Sequence, residues 1–518
     1  MAATFIVLTA QFTTARADTA GEIRMLKERL KVLESKVAQD AKKQKAEAAR
    51  RAYAEPSRAF VCNDKPCEPP PMPPPVWVSF TNGLKIESYD KDFSAAFHGR
   101  VQIDGGVSSQ PEQGNATNVG VRRAWLEVYG KAFKYWNYAF QYDFASAGGV
   151  AGIEDAYVAL EHPSLAIVPF TQQPLVFQVG NMKGPMGLAW LNSNNFIEFI
   201  ERPLASDAFT PGRHIGLAAL THGDRWSTKI GIFSTSLQDT STIPSPATPY
   251  NRAAPNSVAT GGQQYFEVIG RLTYAPILEK NALLHLGGGV VYQVVNSATG
   301  QTEANVLRPG SNIRTEANIL RENLLGTPDL SCGLVYGASA KCTMDVVNYN
   351  AELAAAFGPF SFQGEYFGSH YNRSAAALAY AAANGAGVDA TGGTSLNFNG
   401  YYLQGMWNLT GESRAESYNV GWFDTAAFGA INILHPVSAG GIGAWQIGVR
   451  FSELNLNSGG IQGGREEDVT VGVNWYPEKG VRLSANWIHV AHLSAPFDRP
   501  YLNGINPDIL LMRSQFYW

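Results

Sequence analysis

The stretch KYWNYAFQYDF, Lys134 to Phe144, decides the fold class. From Trp136 every second residue is aromatic: Trp136, Tyr138, Phe140, Tyr142. Between them stand Asn137, Ala139, Gln141 and Asp143. Strict alternation is the period of a β-strand, whose successive side chains point to opposite faces. One face is aromatic and greasy; the other is polar and carries a charge. What each face meets follows from the rest of the chain.

Segments of this kind recur from Trp77 to Trp518, while helical periodicity is scarce. Each is about ten residues long, the length a tilted strand needs to cross a bilayer. About sixteen are legible. They start near Phe93, Val119, Lys134, Gly152, Pro174, Arg213, Trp226, Tyr265, Leu283, Val346, Phe360, Asn397, Gly443, Glu466, Val481 and Ile509. Numbered in order, the even-to-odd links include the tight turns KAFK, HGD, GP and PEKG. The odd-to-even links are mostly long: 183–212, 235–263, 296–345 and 372–396. Short turns on one side and long loops on the other mark an outer-membrane barrel. The segment 410–441 breaks the pattern, being long on the short-turn side.

Lipid offers no hydrogen-bond partner, so a spanning backbone must satisfy itself in a closed sheet. In EDVTVGVNWYP, Val469, Val471, Val473 and Trp475 take the lipid face. In GAWQIGVRF, Trp445, Ile447, Val449 and Phe451 do the same. Aromatics near strand ends fit an interfacial girdle, and the chain closes on SQFYW. The expected fold is therefore all-β, a 16-stranded antiparallel transmembrane β-barrel over 77–518.

The bulk composition agrees. The chain has 518 residues, 45% hydrophobic and 11% aromatic, with a formal charge of −4. Its mean hydropathy is −0.13. Past the N-terminus no run of about 18 apolar residues suggests a spanning helix. No broad basic surface is implied, so a nucleic-acid partner is not expected.

The N-terminal part is organised differently. FIVLTAQF followed by ARAD reads as the second half of a signal peptide over 1–17, and its missing basic region points to a true start further upstream. Ile23, Leu26, Leu30, Leu33 and Val37 fall on heptad a and d positions, giving a short helical coiled-coil arm over 18–54. So short a seam needs association to persist, in two strands or three. A Cys/Pro-rich linker, 55–76, holds EPPPMPPP, which is extended. The cysteines form two local pairs, Cys62 with Cys67 and Cys332 with Cys342. In an oxidising compartment each pair is expected to close a small disulfide loop, since neither has zinc-knuckle spacing.

Several motifs resemble the phosphate-selective porin O and P family. VRRAWLEVYGKAF is similar to its second-strand motif, followed by GIEDAYVAL. FQVGNMKGPMGLAWLNSNNFIEFIERPLASDAFTPGRHIGLAA resembles its third-loop signature. GPFSFQGEYF, NFNGYYLQGMWNLTGESR, GAWQIGVRFSELNLN and VGVNWYPEKGVRLSANWI complete the likeness, which covers most of 93–518. It implies a trimeric sixteen-stranded porin in the bacterial outer membrane, with a periplasmic N-terminal arm. It implies a third long loop folded inward as a constriction. No cofactor is implied. By the same resemblance Arg122 and Arg123 with Lys183 on the third loop form an anion site, Asp155 tempers it, and Arg202 is a further candidate.

Alternation assigns charges to the lumen independently. Inward parity holds Arg100, Arg123, Lys229, Arg271, Arg450, Arg482 and Arg513, against Asp104, Glu127, Asp143, Asp155, Glu161, Glu267 and Glu365. The signs nearly balance, and no arginine ladder of the kind seen in phosphate-selective relatives is recovered. A local positive patch could still focus field in a narrow channel. Strict alternation also sends Arg122 and Arg123 to opposite faces unless a bulge shifts the register. Three functions compete: a passive porin with small anions as solutes, a barrel enzyme, and an envelope tether. No nucleophile–base pair supports the enzyme, and His489 and His492 sit near a strand end.

Overall fold

The computed structural model describes residues 60–62, 65–67, 76–80, 83–109, 116–145, 152–165, 174–234, 266–294, 324–328, 330, 342–383, 391–421 and 426–518. The chain forms two units, Met1–Pro74 and Pro75–Trp518. In the first, Phe60–Cys62 and Lys65–Cys67 pair antiparallel, with Phe60 opposite Cys67 and Cys62 opposite Lys65. The signal-peptide and coiled-coil readings lie outside the described residues, as does Cys332. Cys342 is buried and disulfide-bonded.

The second unit is a barrel. Among the described residues its strands are β1 Ser94–Ser109, β2 Ala116–Ala132, β3 Trp136–Asp143, β4 Gly152–Leu160, β5 Val176–Lys183, β6 Arg213–His222, β7 Trp226–Phe233 and β8 Phe266–Leu278. They continue as β9 Ala282–Val294, β10 Thr343–Phe357, β11 Phe360–Arg373, β12 Ser395–Asn408, β13 Ala444–Ser458, β14 Ile461–Tyr476, β15 Val481–Ser494 and β16 Asp508–Tyr517. Each pairs antiparallel with its neighbours, and β16 closes on β1 from Asp508 opposite Ser109 to Tyr517 opposite Arg100. Trp518 extends the seam with two backbone hydrogen bonds to Gly99, of 3.3 and 3.1 Å. Closure leaves no edge unpaired along the spanning strands, which is what hydrocarbon demands. No described helix is long and apolar enough to cross a membrane.

The sixteen expected segments are all present, within a few residues of their expected starts. The largest difference is β14, which begins at Ile461 rather than near Glu466. Gly459 and Gly460 both take positive φ, 56° and 95°, so the β13–β14 link is a tight glycine turn that lets the ladder run on. A short hairpin, Val76–Ser79 with Leu84–Ser88, was not legible in the sequence. It pairs with the start of β1 through Leu84 opposite Phe97.

The alternation places side chains as expected. On β3, Trp136 and Phe140 are exposed, while Asn137, Ala139, Gln141 and Asp143 are buried in the lumen. Val469's neighbours Val471 and Val473, and Ile447 and Val449, face outward. Aromatics gather at the turn end, where Trp445 stacks on Trp475 at 5.6 Å and Phe360 on Trp407 at 5.7 Å. This is the interfacial belt.

The interior is not uniformly wet. Loop 184–212 enters the lumen, carrying helices α1 Leu188–Leu191 and α2 Leu204–Phe209. Leu204, Ala205, Ala208 and Phe209 join Phe367, Tyr371, Leu396, Phe398, Tyr402, Leu454 and Leu456 in one buried apolar cluster. Leu324, Leu325 and Leu330 of the β9–β10 link belong to the same cluster. The inner face of the barrel thus carries an apolar region besides the charges that alternation assigns to it. Burying the loop's apolar face costs nothing in hydrogen bonds and holds it against β11–β13.

Candidate functional site

The site is built where loop 184–212 crosses the β1–β2–β16 wall. The ladder between β1 and β2 slips between Gln102 and Ile103: Gln102 faces Arg123, and Ile103 faces Val121. Arg122 is the extra residue. A bulge of this kind re-aims one side chain without breaking the sheet. Both arginines therefore reach the same loop carboxylate. Arg122 Nε donates to Glu201 Oε1 at 2.9 Å, and an Arg123 terminal nitrogen lies 3.5 Å from Glu201 Oε2. From β16, Arg513 donates to Glu201 Oε1 at 2.7 Å and to both Asp104 oxygens at 2.7 Å. Arg123 also donates to Gln102 at 2.8 Å. Arg123 is 5% exposed and Glu201 6%.

Burial pushes the Glu201 carboxyl up, but Arg122, Arg123 and Arg513 outweigh it and hold it well below the usual carboxylate range. Burial pushes the Arg202 guanidinium down to about 10, opposed by Asp207 and Glu201. Arg202 donates to the carbonyls of Ala189, Trp190 and Asn192 at 2.9, 3.2 and 3.1 Å, and lies 4.8 Å over the Trp190 ring. It clamps the end of α1.

Lys183 and Asp155 lie in a second group. Lys183 is the last residue of β5 rather than part of the loop, and it donates to the Leu191 carbonyl at 3.1 Å. Its cross-strand neighbour is Arg213. A second bulge, between β3 and β4, turns Glu154 and Asp155 onto Arg213 at 2.7 and 2.6 Å. The expected grouping thus divides: Arg122 and Arg123 meet Glu201, Arg202 clamps the end of α1, and Lys183 and Asp155 flank Arg213.

Wall amides and several of the inward charges hold the loop. Gln102 donates to the Asn194 carbonyl at 3.3 Å, Gln515 to Asn195 at 3.1 Å, and Asn474 to Glu198 at 2.7 Å. Arg450 donates to Glu201 O at 3.0 Å, Arg482 to Ile197 O and Arg513 to Ile200 O. Non-helical backbone at membrane depth survives where such partners replace water. These arginines therefore form anchors instead of a ladder down the wall. On the inward list, Glu161 alone is not buried; it follows β4 and accepts from Asn137 at 2.9 Å in the turn region.

A second segment enters from the turn side. The long β12–β13 link brings Arg414 onto Glu198, places Tyr418 2.7 Å from His285, and sets Phe428 N 2.9 Å from Asn192 Oδ1. The inverted connection length at 410–441 is explained by this fold-in. Sequence reading missed Glu198, Glu201 and Arg414, which lie in aperiodic loops where alternation assigns no face. Arg513 was on the inward list, but its partners were not legible.

A closed antiparallel barrel with an apolar exterior and a polar inner wall crossed by an inward loop defines an outer-membrane channel protein of bacteria. The family model for phosphate-selective porin O and P matches residues 96–518, and the chain belongs to that family. It is 23% identical over 426 residues to Porin O of Pseudomonas aeruginosa, covering 80% of this chain and 86% of that protein. An uncharacterized protein of Caulobacter vibrioides is 25% identical over 430 residues, 81% of this chain and 73% of that one. A loop-deletion mutant of OmpT, an outer-membrane protein of Vibrio cholerae, aligns with a TM-score of 0.44 at 10% identity, over 82% of this chain and 100% of that one.

Proposed function

We propose that the protein is a passive diffusion channel for small solutes that favours anions such as phosphate, constricted by the 184–212 loop and assembled as a homotrimer. The observation that carries the anion preference is the bulge at Arg122. It turns two adjacent guanidiniums toward the point where the loop crosses the wall, and Arg513 of β16 reaches the same carboxylate. A planar guanidinium fork matches the paired oxygens of an oxyanion. Positive charge concentrated in a narrow low-dielectric channel raises the local anion concentration.

The test is the reversal potential of purified protein in planar bilayers under a salt gradient, with phosphate, chloride and potassium compared. The unmodified channel is expected to pass anions in preference to potassium. Arg123→Glu is expected to reverse that sign, and an unchanged sign would remove the cluster from permeation. Light scattering of the detergent-solubilised protein checks the trimer.

A further inference from the structure

We propose that Glu201 is a tethered competitor for the arginine cluster: its carboxylate occupies the oxyanion position among Arg122, Arg123 and Arg513, and so sets how tightly the channel holds a passing oxyanion. This rests on the anion-channel reading above and names the residue that tunes it.

The geometry carries the inference in three ways. First, the Glu201 carboxylate is received as a ligand would be. Oε1 lies 2.9 Å from Arg122 and 2.7 Å from Arg513, and Oε2 lies 3.5 Å from Arg123. Carboxylates and phosphates share this paired-oxygen chemistry.

Second, the side chain is surplus to holding the loop. The backbone carbonyls of Asn194, Asn195, Ile197, Glu198, Ile200 and Glu201 are each taken by a wall side chain. The loop's apolar helix α2 is packed separately against β11–β13. The loop thus has many anchors besides the Glu201 carboxylate, which leaves that charge a role toward the solute.

Third, the charge balance is poised. Asp104 already pairs with Arg513 through both oxygens. Three guanidiniums thus face two carboxylates, leaving one positive charge with Glu201 present and two without it. A carboxylate on a short tether competes at high effective concentration with any free anion. A passing oxyanion must displace it, which weakens holding and speeds release. Conduction needs sites that are attractive enough to enter and weak enough to leave.

Glu201→Gln keeps the side chain's size and its acceptor oxygen while removing the charge. In planar bilayers, the phosphate concentration that half-saturates chloride current is expected to fall about tenfold or more. Removing one unit charge about 4 Å from a bound anion is worth from about fivefold in bulk water to about a thousandfold near a protein surface, so tenfold is the low end of the range. Permeability should shift further toward anions, and Glu201→Asp should fall between. Acetate run in parallel separates carboxylate from phosphate preference; a drop for either supports the competitor role. Heat-modifiable gel mobility confirms that each variant is a folded barrel. Unchanged half-saturation for both anions in folded Glu201→Gln would overturn the proposal. So would a rise in conductance alone, which a purely anchoring role predicts. An unmodified channel that prefers potassium would sink the anion-channel reading, yet a Glu201→Gln shift toward anions would still support Glu201 as the tuning charge.

Discussion

At the scale of the residue, Arg122 and Arg123 show how one inserted position changes chemistry. Alternation alone sends them to opposite faces; the bulge gives both to one carboxylate. Glu201 is held below the usual carboxylate range by those arginines. Its folded value lies below its unfolded one. The stability from its pairing is therefore present above the unfolded value and lost only as pH falls through the folded one. Mild acid should not mimic Glu201→Gln. Phosphate half-saturation in the unmodified channel is expected to stay flat between about pH 7 and 5, once corrected for phosphate's own titration. A fall over that window, measured in bilayers, would mean the carboxyl protonates early.

At the scale of the element, two inward segments meet in the lumen. The loop presents Glu198 to Ser361, Gln404 and Gln446 of the wall, and to Arg414 of the β12–β13 link. Arg414 also lies 4.2 Å over the Phe428 ring of its own segment. Breaking a buried ion pair by removing one partner costs about 3–5 kcal/mol. Here that cost falls on the docking of the link, because Glu198 keeps its amide and hydroxyl donors. Arg414→Ala is expected to loosen the link and raise single-channel conductance while the barrel still shows heat-modifiable mobility. Conductance equal to the unmodified channel would mean the segment is held by its other contacts, such as Phe428 N to Asn192.

At the scale of the whole molecule, two solvents sort the side chains. Val471 on β14 faces outward and is 46% exposed; its neighbour Thr470 is fully buried in the lumen. An arginine on the lipid face near the bilayer midplane costs about 2–4 kcal/mol. Val471→Arg is therefore expected to lower the folded fraction in bilayer refolding followed by gel mobility. An unchanged fraction would place that face away from lipid.

The legible part of this protein followed from periodicity. KYWNYAFQYDF and its repeats fixed which positions face lipid, because hydrocarbon forbids unpaired backbone and forces both closure and alternation. Strand number, turn side and the inward arginines came from that rule alone. The grouping of charges did not, because it depends on non-periodic elements. A bulge shifts the register at Arg122, and a loop carries Glu201 to the wall. A long link carries Arg414 to Glu198. Partners separated by 79 residues, as Arg122 and Glu201 are, meet only when the cylinder has closed around the loop. Local pattern specifies a face, whereas the partner on that face is chosen by the packing of the completed barrel.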